Sequence, residues 1–288
     1  MLQVRKILFP VDFSERCSAA GAQVAAMATH FNAKLTLLHA MQIPPPWYGE
    51  SAAAQLTNLV DIGELKKERQ LTLDAYLQQE LKGVEDVEAI VEQGAPDVVI
   101  TYYARKEGVD LIMMPTHGYG PFRRLLVGSV TAKVLHDAEC PIWTDVHENE
   151  PFARAGCRSV LCAVDLREES VREIQWAAGF ASSYGAELTL MHAIPAIASL
   201  MPPEESHFHR YLIATAREHI AGLQQKAGTA ARVCIEGGKV AESVCNAALQ
   251  HHADLVVIGQ GRMHETLGRL RTNACSIIRE SPCPVVRV

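Results

Sequence analysis

The sequence lacks several features by which common classes of protein are recognised. Its eight cysteines form no C-x-x-C pair, and no cysteine or histidine spacing matches a zinc site. No hydrophobic run is long enough to cross a membrane, and the first residues predict a strand rather than a signal peptide. The net charge of −6 gives no basis for binding nucleic acid or an anionic membrane. We therefore expect a cytoplasmic protein with reduced cysteines, no nucleic-acid or membrane partner and no metal-binding residues.

The two commonest phosphate-binding motifs are absent as well. The stretch 111–135 has no Gly-Lys-Ser/Thr ending of a Walker A loop, and Arg123 stands where a dinucleotide fingerprint needs its third glycine. This stretch does contain an apolar run, a loop with three glycines and a segment typical of a helix that begins at Ser129. A strand, a glycine loop and a helix N-terminus direct unpaired backbone N–H groups at one point, where a phosphate can bind.

Gly128 and Ser129 are the predicted phosphate contacts within this stretch. Glycine lets an anion approach the backbone closely. Serine can cap the helix or donate its hydroxyl group. Arg123 and Arg124 lie in the same loop, but arginines on a solvated surface are the better interpretation of both.

A long internal repeat runs through the chain. Residues 6–13 (KILFPVDF) are echoed by residues 159–166 (SVLCAVDL), and AKLTLLHA is echoed later by AELTLMHA. The same spacing separates Asp12 from Asp165 and the histidine of one copy from that of the other. A repeat of half the chain indicates a duplicated domain. We predict domains at 1–147 and 157–288, joined by a short linker.

Each copy alternates short apolar runs with helical patterns, which predicts parallel strands joined by crossover helices. The predicted class is α/β, with two tandem doubly wound, Rossmann-like domains, each a five-stranded parallel sheet flanked by four helices. The predicted strands are 6–12, 34–41, 88–93, 110–115 and 141–145 in the first copy, and 159–165, 187–194, 232–236, 254–259 and 285–288 in the second. Such sheets bind ligands at the carboxyl ends of their strands.

Three strand ends should converge in the first copy, at Asp12, at Ala40 and at residues 114–118. Asp12 can accept hydrogen bonds from ribose hydroxyls or an adenine amino group, or hold a magnesium-bound water. An aspartate after a buried strand is also a common helix cap, so this alternative stays open. His39 and His192 lie inside apolar strands and are interpreted as hydrogen-bonded core histidines.

The glycine loop resembles the nucleotide loop of the universal stress protein family, written Gly-x2-Gly-x9-Gly-Ser/Thr. Gly118, nine further residues and Gly128-Ser129 fit the second half of this pattern, while Pro115 occupies the place of its first glycine. The resemblance extends over essentially the whole chain, as two tandem copies. It implies an adenine nucleotide alpha hydrolase-like fold and a bound ATP, with or without magnesium.

The family resemblance also assigns the ligand contacts of the first copy. Adenine and ribose would be surrounded by residues of the first two strand ends, with Met114 on the same side. The phosphates would be held by the glycine loop and the start of the helix. The candidate binding residues are Pro10, Val11, Asp12, Ala40, Met114, Pro115, Gly118, Gly128, Ser129 and Val130. No residue is assigned a catalytic or metal-binding role.

The second copy keeps the strands but changes the loop. Gly259 stands in place of Pro115, whereas Arg271-Thr272 stands where the first copy has Gly128-Ser129. An arginine there would place a long side chain where backbone approach is required. We predict that the second copy holds no triphosphate.

The resemblance implies a further contact, between the last strands of the two copies. Domains of this family commonly pair through these strands, so residues 141–145 and 285–288 are expected to meet. The chain would then be an intramolecular pseudo-dimer of its two domains. A homodimer of the whole chain is left open.

Three functions are compatible with the sequence. The first is a tandem universal stress protein that binds ATP or another adenine nucleotide in its first domain and acts as a regulatory module in the stress response. The second is a ligand-free interaction scaffold, and the third is a slow nucleotide hydrolase. Catalysis requires a placed general base or metal cluster. Because no carboxylate lies between Pro115 and Ser129, we do not expect a dedicated enzyme, although weak ATP hydrolysis is compatible with the loop.

Overall fold

A computed structural model of the chain describes residues 2–42, 61–81, 83–116, 127–145, 156–194, 206–260 and 270–288. The first copy contains β1 (Lys6–Pro10), α1 (Glu15–Phe31), β2 (Lys34–Met41), α2 (Ile62–Glu80), β3 (Val87–Gln93), α3 (Pro96–Glu107), β4 (Leu111–Pro115), α4 (Ser129–Asp137) and β5 (Ile142–Asp145). The second copy contains β6 (Ser159–Ala163), α5 (Ser170–Tyr184), β7 (Glu187–Ile194), α6 (Ser206–Ala227), β8 (Arg232–Gly237), α7 (Val240–Gln250), β9 (Leu255–Ile258), α8 (Leu270–Glu280) and β10 (Val285–Arg287). Within the described ranges, each copy has the predicted five strands and four helices, which confirms the duplicated α/β fold.

The chain forms two compact units whose boundary does not coincide with the sequence repeat. The first unit contains residues 4–116 and 128–140, as far as these are described. The second contains residues 2–3, residue 127 and everything described from 141 onward. The strand β5 ends the first copy in sequence but belongs to the second unit. The division by packing therefore falls just before β5, whereas the predicted domain limits follow the repeat.

The sheet of the first unit has the strand order β3-β2-β1-β4, and the strands run parallel. Ile7 pairs with Leu35 on one side and with Leu111 on the other, so β1 is central and almost fully buried. The chain winds outward in opposite directions from β1, through β2 on one side and β4 on the other. In sheets of this kind, ligands usually bind where the winding reverses, which here is at the carboxyl ends of β1 and β4.

The sheet of the second unit has the order β5-β10-β9-β6-β7-β8. Strand β5 runs antiparallel to β10, with Trp143 opposite Val286. Thr144 Oγ1 also donates to the carbonyl oxygen of Val285 at 3.1 Å. The expected meeting of strands 141–145 and 285–288 is therefore confirmed. The pairing covers the edge of β10, which would otherwise expose unpaired backbone groups.

Trp143 is the residue of β5 that packs into the core of the second unit. Its side chain is 1% exposed, and its ring lies 5.9 Å from that of Phe180 on α5. Phe180 in turn stacks on Trp176, with ring centroids 5.2 Å apart. Burial of aromatic rings at this density contributes strongly to stability. The last strand of the first copy thus supplies a core residue to the second unit.

Candidate functional site

A tight turn after β1 presents Asp12 at the carboxyl edge of the first sheet. The Val11 N–H donates to the carbonyl oxygen of Leu38 at 2.9 Å, which extends the pairing with β2 beyond Pro10. Asp12 Oδ1 accepts the N–H of Ser14 at 3.0 Å. Phe13, between them, has a positive φ of 60°, which is uncommon for a residue other than glycine. The turn then leads directly into α1.

The cap of α1 resolves one alternative of the sequence interpretation. Ser14 is the N-cap, and its side chain accepts the N–H of Cys17 at 3.3 Å. Asp12 therefore does not cap the helix in the usual way but shapes the turn before it. Its bond to Ser14 engages Oδ1, and a carboxylate can accept several hydrogen bonds. Asp12 is half-buried, so a ligand at this edge of the sheet can reach it.

The start of α4 is tied closely to the end of β4. The Gly128 N–H donates to the carbonyl oxygen of Thr116 at 2.8 Å, and Thr131 Oγ1 donates to that of Pro115 at 3.2 Å. Both threonines are almost completely buried. Sequence reasoning missed both, although two threonines that flank a glycine loop are a readable signal. Together they hold the helix start against the strand end.

The N-terminus of α4 has no side-chain cap. Gly128 is its N-cap residue, and the first intrahelical bond runs from the Ala132 N–H to the Gly128 carbonyl at 2.8 Å. The N–H groups of the first three helical residues therefore have no partner within the helix. Ser129 is the first helical residue and not the cap, which excludes capping as one of the two roles considered for its side chain. The Gly128 N–H is already bonded to Thr116. Of the predicted phosphate contacts, Ser129 and Val130 are therefore the ones whose N–H groups have no bond within the helix.

The remaining site residues predicted from the sequence follow from the strand register. Pro10 pairs with Leu38, which places Ala40 just beyond it on β2. On β4, Met114 is buried and Pro115 is half-buried. Pro10, Val11, Asp12, Ala40, Met114 and Pro115 thus lie along one edge of the first sheet, with Ser129 and Val130 at the following helix. The predicted contact Gly118 lies outside the described residues.

The equivalent edge of the second unit is arranged differently. Arg167 pairs with Asp165 through its guanidinium group, and the Arg167 N–H donates to Asp165 Oδ1 at 3.2 Å. Ser170 Oγ also donates to this carboxylate, at 3.0 Å. Partial burial would raise the pKa of Asp165, but the hydrogen bonds from Arg167 outweigh it and lower the pKa. The carboxylate that corresponds to Asp12 is therefore engaged by its own turn.

Glu173 fills the space beside Gly259 in the second unit. Its side chain is 6% exposed, and a Cβ built on Gly259 would lie only 1.7 Å from Glu173 Oε1. In the first copy, the repeat places Ala20 and Pro115 at these two positions. Sequence reasoning missed this contact. The side chain of Arg271, to which the loss of triphosphate binding was attributed, lies outside the described side chains.

The buried Glu173 makes stability depend on pH. Burial and the nearby charge of Asp165 raise its pKa from 4.5 to about 7. Because the folded-state pKa lies above the ordinary value, the stabilising contribution is complete below pH 4.5 and is lost as the pH rises through 7. Between pH 5 and pH 8 we expect Glu173 to lower the free energy of unfolding by about 2 kcal/mol.

Urea denaturation of the Glu173→Gln variant at both pH values measures this effect. The variant should lose about 2 kcal/mol less than the wild type between pH 5 and pH 8. Glu218→Gln, at an exposed position on α6, is the control and should keep the wild-type dependence. Equal pH dependence of wild type and Glu173→Gln would contradict the assigned raised pKa.

The described residues contain little that suggests metal or thiol chemistry. Among them, no group of three or more histidine, cysteine, aspartate or glutamate side chains is arranged to hold a metal ion. None of the eight cysteines, all within the described ranges, forms a disulfide. Burial raises the pKa of both Cys157 and Cys283 to about 12. A thiol with such a pKa is a poor nucleophile at neutral pH. No helix within the described ranges is long and apolar enough to span a membrane.

Comparison with known proteins gives a consistent result for both copies. Residues 3–144 and 156–288 each match the family model described as the universal stress protein family. Universal stress protein MJ0577 of Methanocaldococcus jannaschii is 32% identical over 149 residues, which cover 48% of this chain and 92% of the relative. A Thermus aquaticus relative, described as a universal stress protein in the QAH/OAS sulfhydrylase 3′ region, is 30% identical over 138 residues, or 48% of this chain and 96% of the relative.

A solved structure extends the comparison to the full length. The crystal structure of a universal stress protein from Archaeoglobus fulgidus matches with a TM-score of 0.66 at 20% sequence identity. The match covers 99% of this chain and 96% of that one. At this identity the likeness concerns the fold. The duplicated α/β architecture is thus shared with a solved protein of similar length.

Proposed function

The chain belongs to the universal stress protein family as a tandem member with two family domains, and we propose that the first of them binds ATP or another adenine nucleotide. In this proposal the nucleotide binds at the carboxyl edge of β1 and β4. The protein then acts as a regulatory module of the stress response, whose state depends on nucleotide occupancy. We place this function in the cytoplasm, where its eight cysteines, none of them in a disulfide, would stay reduced.

The observation that carries the proposal is the uncapped start of α4 beside the end of β4. The amides of Ser129 and Val130 precede the first intrahelical bond, and Gly128, with no side chain, stands before them. A helix N-terminus carries a partial positive charge and free N–H donors, which together stabilise a phosphate group. The bonds of Thr116 and Thr131 hold these donors in place before a ligand arrives.

The neighbouring strand ends suit the rest of an adenine nucleotide. Val11 and Met114 are buried apolar residues at the edge of the sheet, where an adenine ring can pack. Asp12, beside them, supplies a carboxylate that can accept hydrogen bonds from ribose hydroxyls. The edge of the sheet thus offers apolar groups for a purine, an acceptor for a sugar and N–H donors for a phosphate.

Magnesium would enter this site with the nucleotide rather than through protein ligands. Mg²⁺ in nucleotide sites is bound mainly by phosphates and waters, with one or two carboxylates. Asp12 is a carboxylate at the end of β1, next to the proposed phosphate position, and it can hold a magnesium-bound water. Magnesium would supply charge neutralisation to the phosphates.

Thermal denaturation with added nucleotide tests the proposal. A ligand that binds only the folded state stabilises it by about 2.7 kcal/mol at a concentration 100 times its Kd. We expect ATP, ADP or AMP to raise the unfolding temperature, with GTP as the control for base recognition. If none of the adenine nucleotides changes the unfolding temperature, the nucleotide proposal fails and the interaction scaffold becomes the better interpretation.

A further inference from the structure

Two equivalent histidines make the same hydrogen bond in the two units. His39 Nδ1 lies 2.8 Å from the carbonyl oxygen of Val11, and His192 Nδ1 lies 2.8 Å from that of Val164. A carbonyl oxygen can only accept, so Nδ1 carries the proton in both rings. The predicted hydrogen bonds of both histidines are therefore confirmed, whereas the predicted core position is not, because both residues are only half-buried. The acceptor gives the bond a more specific role.

The bond holds the turn that follows the first strand of each copy. The Val11 N–H donates to Leu38, so both backbone polar groups of this residue are bonded to β2, through Leu38 and His39. Val164 is held in the same way, with its N–H bonded to the carbonyl of Met191 at 2.8 Å. These hydrogen bonds stabilise a turn that contains a residue in an unfavourable conformation.

The unfavourable residue is Phe13 in the first copy and Leu166 in the second, with φ of 60° and 66°. Neither is glycine, so each conformation persists only because its surroundings impose it. In the first unit the ring of Phe13 lies on that of His39, with centroids 4.5 Å apart. The ring of Tyr76 on α2 also lies near that of Phe13, with centroids 6.2 Å apart in an edge-on arrangement. His39 thus contacts the residues before and after Asp12.

We propose that His39 is a positioning residue of the nucleotide site, which holds the Val11–Phe13 turn so that the Asp12 carboxylate faces the ligand. The inference rests on the proposed function, because Asp12 has a ligand only if a nucleotide binds in the first unit. Burial lowers the pKa of His39, so its ring stays neutral near pH 7. The role needs only the Nδ1 proton, which an asparagine amide can replace from a similar position.

The second unit provides a matched control within the same chain. His192 makes the same bond, but the Asp165 carboxylate is engaged by Arg167 and Ser170. Removing the His192 bond should therefore cost similar stability without changing nucleotide affinity. A comparison of the two histidines separates positioning of a ligand contact from support of the fold.

Titration calorimetry with ATP on the full chain tests the proposal. His39→Leu should raise the Kd for ATP about tenfold, and His39→Asn should restore most of the affinity. His192→Leu should leave the Kd within about twofold of the wild type. In the Asp12→Ala background, His39→Leu should weaken binding much less than it does alone, since both residues act through one contact.

The outcomes separate this proposal from the proposed function. A wild-type chain that binds no ATP overturns both. If the wild type binds ATP while His39→Leu matches it, or matches His192→Leu, the positioning role is overturned and the nucleotide site stands. Failure of His39→Asn to recover affinity, or full additivity with Asp12→Ala, also overturns the role of the Nδ1 bond.

Discussion

Replacing Trp143 by alanine is expected to lower the free energy of unfolding by about 3–5 kcal/mol, the usual cost of removing a buried tryptophan. The side chain is 1% exposed and packs against Phe180 in the core of the second unit. Its strand β5 is only four residues long and pairs with β10 through three residues, Trp143 among them. The expected loss therefore combines an unfilled cavity with weaker strand pairing.

Urea denaturation of Trp143→Ala and Trp143→Phe measures this loss. The phenylalanine variant keeps an aromatic ring against Phe180 and should lose clearly less stability than the alanine variant. A change below about 1 kcal/mol in Trp143→Ala would contradict the account, because surface substitutions have effects of that size. In that case β5 would not contribute to the core of the second unit.

Replacing Gly128 by arginine is expected to weaken ATP binding by about a hundredfold or more, or about 2.7 kcal/mol. The substitution places a long side chain before the amides of Ser129 and Val130, where the phosphates are proposed to lie. Gly128 has φ −54° and ψ 146°, a conformation open to any L-residue, so the backbone has no need to change. The expected loss is therefore one of access to the helix start.

The alanine variant at the same position provides the control. Gly128→Ala adds a single methyl group at the same backbone conformation and should weaken ATP binding by less than about tenfold. Both variants should unfold at nearly the wild-type temperature in the absence of nucleotide. If Gly128→Arg binds ATP as tightly as Gly128→Ala does, phosphate binding at the start of α4 is excluded.

The sequence was informative about the fold because its signals are local or repeated. The echo of residues 6–13 in 159–166 marks equivalent central strands, and β1 and β6 lie there. The packing of β5 into the second unit could not be read from such patterns, because it depends on which surfaces meet. The contact between Trp143 and Phe180 joins residues of different copies that share no local pattern.

The candidate site could likewise be predicted from the sequence only in part. The carboxyl ends of parallel strands share one edge of a sheet, so Asp12, Ala40 and Met114 could be placed together from strand order alone. The bond between Gly128 and Thr116 could not be anticipated, since it depends on the path of the loop. The positive φ of Phe13 could not be predicted either, because glycine is the residue that normally indicates this conformation.

The contact of Glu173 with Gly259 is the clearest example of a feature that the sequence does not predict. The glutamate lies on α5 and the glycine follows β9, far apart in sequence, and neither stands in a recognisable motif with the other. Sequence comparison of the two copies identified the glycine but not its neighbour. A buried carboxylate in place of a small residue becomes visible only when helix and strand are packed together.

A crystal structure of the chain grown with ATP tests the central claim most directly. We expect one nucleotide per chain, with phosphate oxygens accepting from the Ser129 and Val130 N–H groups at about 2.7–3.2 Å. The ribose or adenine should lie within hydrogen-bond distance of Asp12. Phosphates bound away from the start of α4, or a nucleotide at the Asp165 edge with the Asp12 edge empty, would contradict the account.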